Sequence, residues 1–289
     1  YKPEEGDYPI IRGDQALFFV YNDFREAHTE SHGIPLGIQI NAMAYAFDCP
    51  GDSALNHALF MHYNIINTSD TNYHDAYLGL YTDFDIGNPW DDYLSTDVEN
   101  NSMYGYNGDN YDFGNYGDPE RCYGYYPPAQ SATILGGPFM EADNEDNPNE
   151  DYMGTPLCDL SVTGLNFSDG IIDNERLGIT GSMIPGSVNP YIPPQNAEDY
   201  YNMMQSVFPD DKPQVFGSHG YPYSDTLAPP SRFIYPNNTD TLNWSIGCDD
   251  PPYPYNQPGI YWNETREGNV PGDRRGILSS GPFVLNSHS

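Results

Sequence analysis

Lysine is nearly missing from this chain: Lys2 and Lys212 are the only two in 289 residues. Lys and Arg together number 10 against 42 Asp and Glu, for a net charge of −32. A field of that sign repels phosphate backbones and anionic membrane surfaces and attracts cations, which disfavours nucleic-acid binding. No apolar run approaches the roughly 18 residues a spanning helix needs. CxxC pairs are also missing, which argues against a zinc ribbon or a thioredoxin-type redox site. There is no GxSxG elbow, P-loop or GxGxxG, so acyl-transfer and nucleotide chemistry lack their residues. HTESH (His28–His32) does not have the HExxH order of a zinc protease.

Aliphatic residues are scarce as well. Leu, Ile, Val and Phe make up 55 residues, about a fifth of the chain, a level that at this charge borders on disorder. The 26 Tyr and 3 Trp tip the balance back towards folding, because aromatic rings bury much area each while Tyr keeps a polar tip. The composition therefore predicts a globular, aromatic-rich fold. The four cysteines, Cys49, Cys122, Cys158 and Cys248, are widely spaced and predict one or two disulfides in an oxidising compartment, with the pairing open.

Period-2 alternation dominates the first third. In Gly37–Phe47, Ile38, Ile40, Ala42, Ala44 and Ala46 share one face and Gln39, Asn41, Met43 and Tyr45 the other. Gln15–Phe24, His57–Ile66 and Ala76–Ile86 are similarly strand-like, with Asn/Asp/Ser/Thr clusters between them. The expected fold is all-β, an antiparallel sandwich-like domain with long irregular loops and one short helix. That helix is Ala197–Phe208, with Asn196 as N-cap and Glu198 and Asp199 in its first turn. Asn100–Cys122 and Asp143–Asp151 read as loops. One domain over 1–289 is expected, with a possible division into strands (1–125) and a loop-rich remainder (126–289). The opening YKPEEGDYP, without Met or signal peptide, leads to the expectation of a processed product or a fragment.

Two acidic groups stand out. YTDFDIGNPWDDY places Asp83 and Asp85 two apart at the end of a predicted strand, and Asp91 and Asp92 after a Gly-Asn-Pro turn. Hard oxygen donors from a strand end and its following loop suit Ca²⁺, which takes six to eight oxygens in loose geometry. The second group combines Glu141, Asp143 and Asp146 with Asp169, Asp173 and Glu175. For both groups the alternative is a solvated acidic loop. Paired carboxylates among aromatics also leave open a glycosidase acid and base.

GDYPIIRGDQALFFVYND, HTESHGIPLGIQINAMAYAFDCPGDSALNHALFMHYNIIN, YTDFDIGNPWDDY, YNGDNYD, PPAQSATILGGPFMEAD, GLNFSDGIIDNERLG and PGDRRGILSSGPF occur in order over most of the chain. Together they resemble a family of large Bacteroidota cell-surface proteins exported by the type IX secretion system, whose members usually carry a signal peptide and a C-terminal sorting domain. The family's functions are mostly unassigned, so the resemblance implies an extracellular, cell-surface location rather than an activity. Its members keep a D-A-D-G-like word where Glu141 and Asn144 stand here, and the departure weakens the carry-over at those two positions. The resemblance also implies O-glycosylation at Asp-Ser/Thr-aliphatic words, that is at Ser53, Thr226 and Thr241. The resulting expectation is a calcium-stabilised, glycosylated, self-assembling structural or adhesive component (surface layer, filament or adhesin). Its Tyr-rich stretch Tyr104–Tyr116 would serve interfaces. The alternative is a secreted carbohydrate-binding or carbohydrate-cleaving protein.

Overall fold

The computed structural model describes residues 3–6, 10–114, 122–185, 193–223 and 227–289. The chain is all-β with antiparallel pairing, and it forms two compact units: Tyr1–Tyr73 with Leu285–Ser289, and His74–Val284. The boundary falls within a strand, not near residue 125 where the composition changes. Contacts rather than loop content define a unit.

Unit 1 is a three-stranded meander of β1 (Gln15–Asn22), β2 (Ile38–Ala46) and β3 (Phe60–Asn67). Its register is unbroken over eight residue pairs on each side of β2. Asp23 sets the β1–β2 connection: its carboxylate accepts from the backbone N–H groups of Leu36, Gly37 and Ile38. A single helical turn, α1 (Ser53–Asn56), precedes β3 and is capped by the Asp52 side chain.

Unit 2 contains β4 (Tyr73–Asp83), β5 (Asp92–Asp97), β6 (Ser102–Asn107), β7 (Tyr111–Asp112), β8 (Gly124–Tyr125), β9 (Ala129–Thr133), β10 (Gly181–Met183) and β11 (Arg275–Leu285). They form sheets ordered β10-β11-β4, β5-β6-β9 and β7-β8. The aromatic-rich core expected from composition is here: Trp244, Trp262, Tyr235, Phe233, Leu94 and Leu278 are all essentially inaccessible. The helix α2 covers Ala197–Met204, and the Asn196 side chain accepts from Asp199 N as its N-cap. It stops four residues earlier than the sequence suggests, and the chain then turns so that Val207 bridges Pro213. A further single turn, α3, spans Glu264–Glu267.

One expectation is corrected. Asn100–Cys122 is not loop throughout: Ser102–Asn107 is β6, the middle strand of its sheet, with Ser102, Met103 and Gly105 buried, and 115–121 lie outside the described residues. Gly105 leaves room for the Phe84 ring, which a Cβ there would strike. Tyr104 and Tyr106 are part-buried sheet residues, and burial pushes the Tyr106 hydroxyl up to about 12.

Of the cysteines, Cys158 and Cys248 form a disulfide across 90 residues of unit 2. Cys49 is a half-buried free thiol and Cys122 is not part of that bond. Among the described residues, no helix is long and apolar enough to cross a membrane.

Candidate metal centre

The alternation of β4 runs past its end: Thr82, Phe84 and Ile86 are buried while Asp83 and Asp85 are exposed. The apolar residues pin this segment to the core and aim both carboxylates the other way. Asp273, just before β11, completes a group whose three carboxylates each place an oxygen within 4.8 Å of the others. Arg275 enters from β11, its Nε donating to Asp83 at 3.1 Å and its Nη2 to Asp273 at 3.0 Å. One guanidinium facing three carboxylates leaves a local excess of two negative charges. Burial, then repulsion from Asp83 and Asp273, raises the Asp85 carboxyl above its ordinary value.

The turn that follows is built to return Asp91 and Asp92. Gly87 takes a positive φ of 75°, and a Cβ there would collide with the Asp112 carboxylate. The Asn88 side chain accepts from Trp90 N and starts a short 3-10 turn, Pro89–Asp91, and Asp92 begins β5. Asp112 is fully buried and accepts from Asn88 N and Tyr123 N, tying the turn to the β7–β8 hairpin.

Asp92 is also fully buried. Its Oδ2 accepts from Ile86 N at 3.0 Å, while its Oδ1 has no hydrogen-bond partner. Asp91 Oδ1, Asp273 Oδ1 and the Oδ1 of Asn107, which lies directly opposite Asp92 on β6, are likewise buried and unpartnered. Burial, with repulsion from Asp91, Asp112 and Asp85, pushes the Asp92 carboxyl up to about 7. Buried carbonyl and carboxylate oxygens without donors are costly, and a cation is the partner that acceptor-only atoms fit.

A second buried carboxylate shows what a satisfied one looks like. Glu264 is paired with Arg274, whose Nε and Nη2 lie 2.9–3.2 Å from its oxygens. Glu264 also accepts from Leu94 N and Asn269 Nδ2. Its charge is matched within the protein.

The second predicted group comes together around backbone donors. Asp173 accepts from the N–H groups of Asp143 and Asn144, Asp146 from those of Asp169 and Gly170, and Glu175 from that of Asn147. The carboxylates clasp loops 140–147 and 168–175 by reciprocal bonds to backbone donors. Hydrogen bonds from Asn147 and from Glu145 N hold the Asp143 carboxyl below its ordinary value. Glu141 is exposed beside this clasp.

Asp273 joins Asp83 and Asp85 without having been singled out in sequence, whereas the predicted Asp91 and Asp92 fall outside that group and lie near Asp112 and Asn107 instead. Asp273 lies 188 residues beyond Asp85, and only the β4–β11 pairing brings the two together. Ser53 is exposed at the start of α1, Thr241 is exposed in a turn, and Thr226 lies outside the described residues. Comparison with family models, curated protein sequences and solved structures gave no match.

Proposed function

We propose that this protein is an extracellular structural or adhesive surface component, of the type IX-exported kind it resembles, with a calcium-braced scaffold and a capacity to self-associate. The observation that carries the reading is the buried Asp92 carboxylate, with an oxygen that no donor reaches, beside the Asp83–Asp85–Asp273 group at the ends of β4 and β5. A cation there joins a strand end, a turn and the approach to β11, which is a bracing position. The donors are all oxygens, which suits calcium or magnesium rather than a thiophilic metal. The disulfide supports an oxidising compartment.

Thermal melts in calcium and in EDTA test this. At about 100-fold above the dissociation constant, a bound ion stabilises by about 2.7 kcal/mol. Calcium is therefore expected to raise the melting temperature, and Asp83→Asn or Asp85→Asn to remove much of that rise. Electron microscopy of chelator-free material is expected to show assemblies, and glycans on Ser53, Thr226 or Thr241 to appear in the intact mass of native protein. Identical melts in calcium and EDTA would return the carboxylates to the class of solvated acidic loops.

A glycan-binding reading has one specific observation in its favour. Tyr111 packs edge-on against Phe113 and Tyr125, each at 4.5 Å, and Phe113, Tyr123, Tyr125 and Tyr126 around it are 60–83% exposed. Flat exposed rings suit sugar faces. A glycan array with Tyr125→Ala and Tyr126→Ala as controls separates the two readings. For hydrolysis there is less to cite: the depression of ≈ 260 Å³ lined by Gly79, Tyr81, Tyr200, Met204 and Ile277 has no carboxylate in its wall.

A further inference from the structure

The register of unit 1 sorts its side chains into two faces. Leu17, Ala44 and Met61 lie in one row, Phe19, Ala42 and Tyr63 in the next, and Tyr21, Ile40 and Ile65 in a third. All point the same way, because directly opposed residues of antiparallel strands share a face. Every residue in those three rows is apolar or aromatic. The opposite face mixes Phe18, Val20 and Met43 with Asn41, His62 and Asn64. No Asp, Glu, Lys or Arg occurs anywhere in β1, β2 or β3.

The apolar face is not covered: Leu17 is 65%, Tyr21 46%, Met61 39% and Tyr63 45% exposed. At about 200 Å² for a fully exposed large side chain, these four leave on the order of 400 Å² open. Ile10, Ile11, Ile34, Leu36 and Leu59 in the connecting segments are 45–75% exposed. They bring the unit's open apolar surface to on the order of 1,000 Å². The face alone is thus the size of a typical monomer's largest patch, about 300–600 Å², and with apolar residues of the connecting segments it would approach the roughly 800 Å² per partner of a stable interface. A single sheet also has no core of its own until a second layer covers its apolar face.

We propose that the second layer is the same face of a second copy of this chain. Two identical sheets have the same twist and stack aligned, and a two-fold axis makes one patch serve both sides. Charge favours this partner and this orientation. Unit 1 has 10 acidic and 3 basic residues, net −7, leaving −25 of the chain's −32 in unit 2. Two such chains repel least where they meet through an uncharged face on the less charged unit. The inference rests on the self-associating reading above and names the surface it uses.

Sedimentation velocity over a concentration series tests it, on protein in calcium. The wild type is expected to dimerise. Leu17→Lys with Tyr63→Lys, on the apolar face, is expected to weaken dimerisation at least 100-fold. Phe18→Lys with Asn64→Lys, on the other face, adds the same charge and is expected to leave it unchanged. Both pairs change the net charge by the same amount, so loss of the dimer with the apolar-face pair alone cannot come from the change in net charge. Hydrogen exchange of β2 amides checks that the sheet remains folded. A dimer that survives the apolar-face pair, or that the Phe18 pair breaks instead, overturns the inference and leaves self-association standing. A wild-type monomer whose Leu17 and Tyr63 are shielded from carbene labelling overturns it in favour of a segment of the same chain. An unshielded monomer that forms no assemblies under the microscope overturns both.

Discussion

Unit 1 and unit 2 handle apolar surface in opposite ways. In unit 2, Trp244, Trp262, Phe233 and Leu278 are sealed from solvent, and a disulfide and a buried Arg274–Glu264 pair lie among them. In unit 1, Ala42 is the one hydrophobic residue among those described that is buried, while Leu17, Phe18 and Val20 are at least half exposed. The charge runs the other way: unit 2 holds most of the acidic residues, and the strands of unit 1 hold none. A region that seals its core can tolerate charge on its outside. A region that leaves its apolar face open must keep charge off that face if something is to cover it.

The sharpest way to break the comparison is to reduce the Cys158–Cys248 bond. Closing a loop of about 90 residues restricts the unfolded chain by about 4–5 kcal/mol on the chain-entropy model. Cys158→Ser with Cys248→Ser is expected to lower the unit 2 transition by about that amount in denaturant melts, with the circular-dichroism signal of unit 1 unaffected. Next comes Arg274→Met, which strands a buried carboxylate at Glu264 and is expected to cost about 3–5 kcal/mol. Adding Glu264→Gln should recover part of the loss. Recovery separates stranded charge from lost packing, and none would point to packing.

Asp92 should give a smaller, pH-dependent effect. Its folded carboxyl lies at about 7, above its ordinary value, so the fold favours the protonated form. That contribution is complete below about pH 4 and is lost as pH rises through about 7. In EDTA, the wild type is therefore expected to lose stability across that window. Asp92→Asn is expected to flatten the loss and to be more stable than wild type at pH 8 by about 1–3 kcal/mol. In calcium the order should reverse, since the ion takes the place of the proton. The smallest effect belongs to unit 1: Phe18→Ser, at a site 59% exposed, is expected to move the melting transition by less than about 0.5 kcal/mol. A larger shift would mean that this face, too, is covered.

Much of this was legible because it is periodic. The alternation of Ile38–Ala46 placed β2 within a residue of its ends and sorted its faces correctly, and Asn196 announced α2. The strand β6 was hidden because Gly, Asn and Tyr in SMYGYN look like loop chemistry, although Gly105 is there to admit Phe84. The acidic cluster was half visible. Asp83, Asp85, Asp91 and Asp92 are near in sequence, but the structure groups only Asp83 and Asp85, with Asp273 brought in through strand pairing that local pattern does not encode. The clasp of Asp146 and Asp173 looked like ligand spacing because carboxylates that accept from backbone N–H groups recur at the same intervals as those that bind ions.

The Cys158–Cys248 bond encloses more than a third of unit 2 in a covalent ring. A protease that cuts once anywhere between those residues leaves two pieces still tied together. On a gel run without reductant the nicked protein would migrate near the intact one, and with reductant it would separate into two bands. A chain with this ring can take a cut inside it and shed nothing.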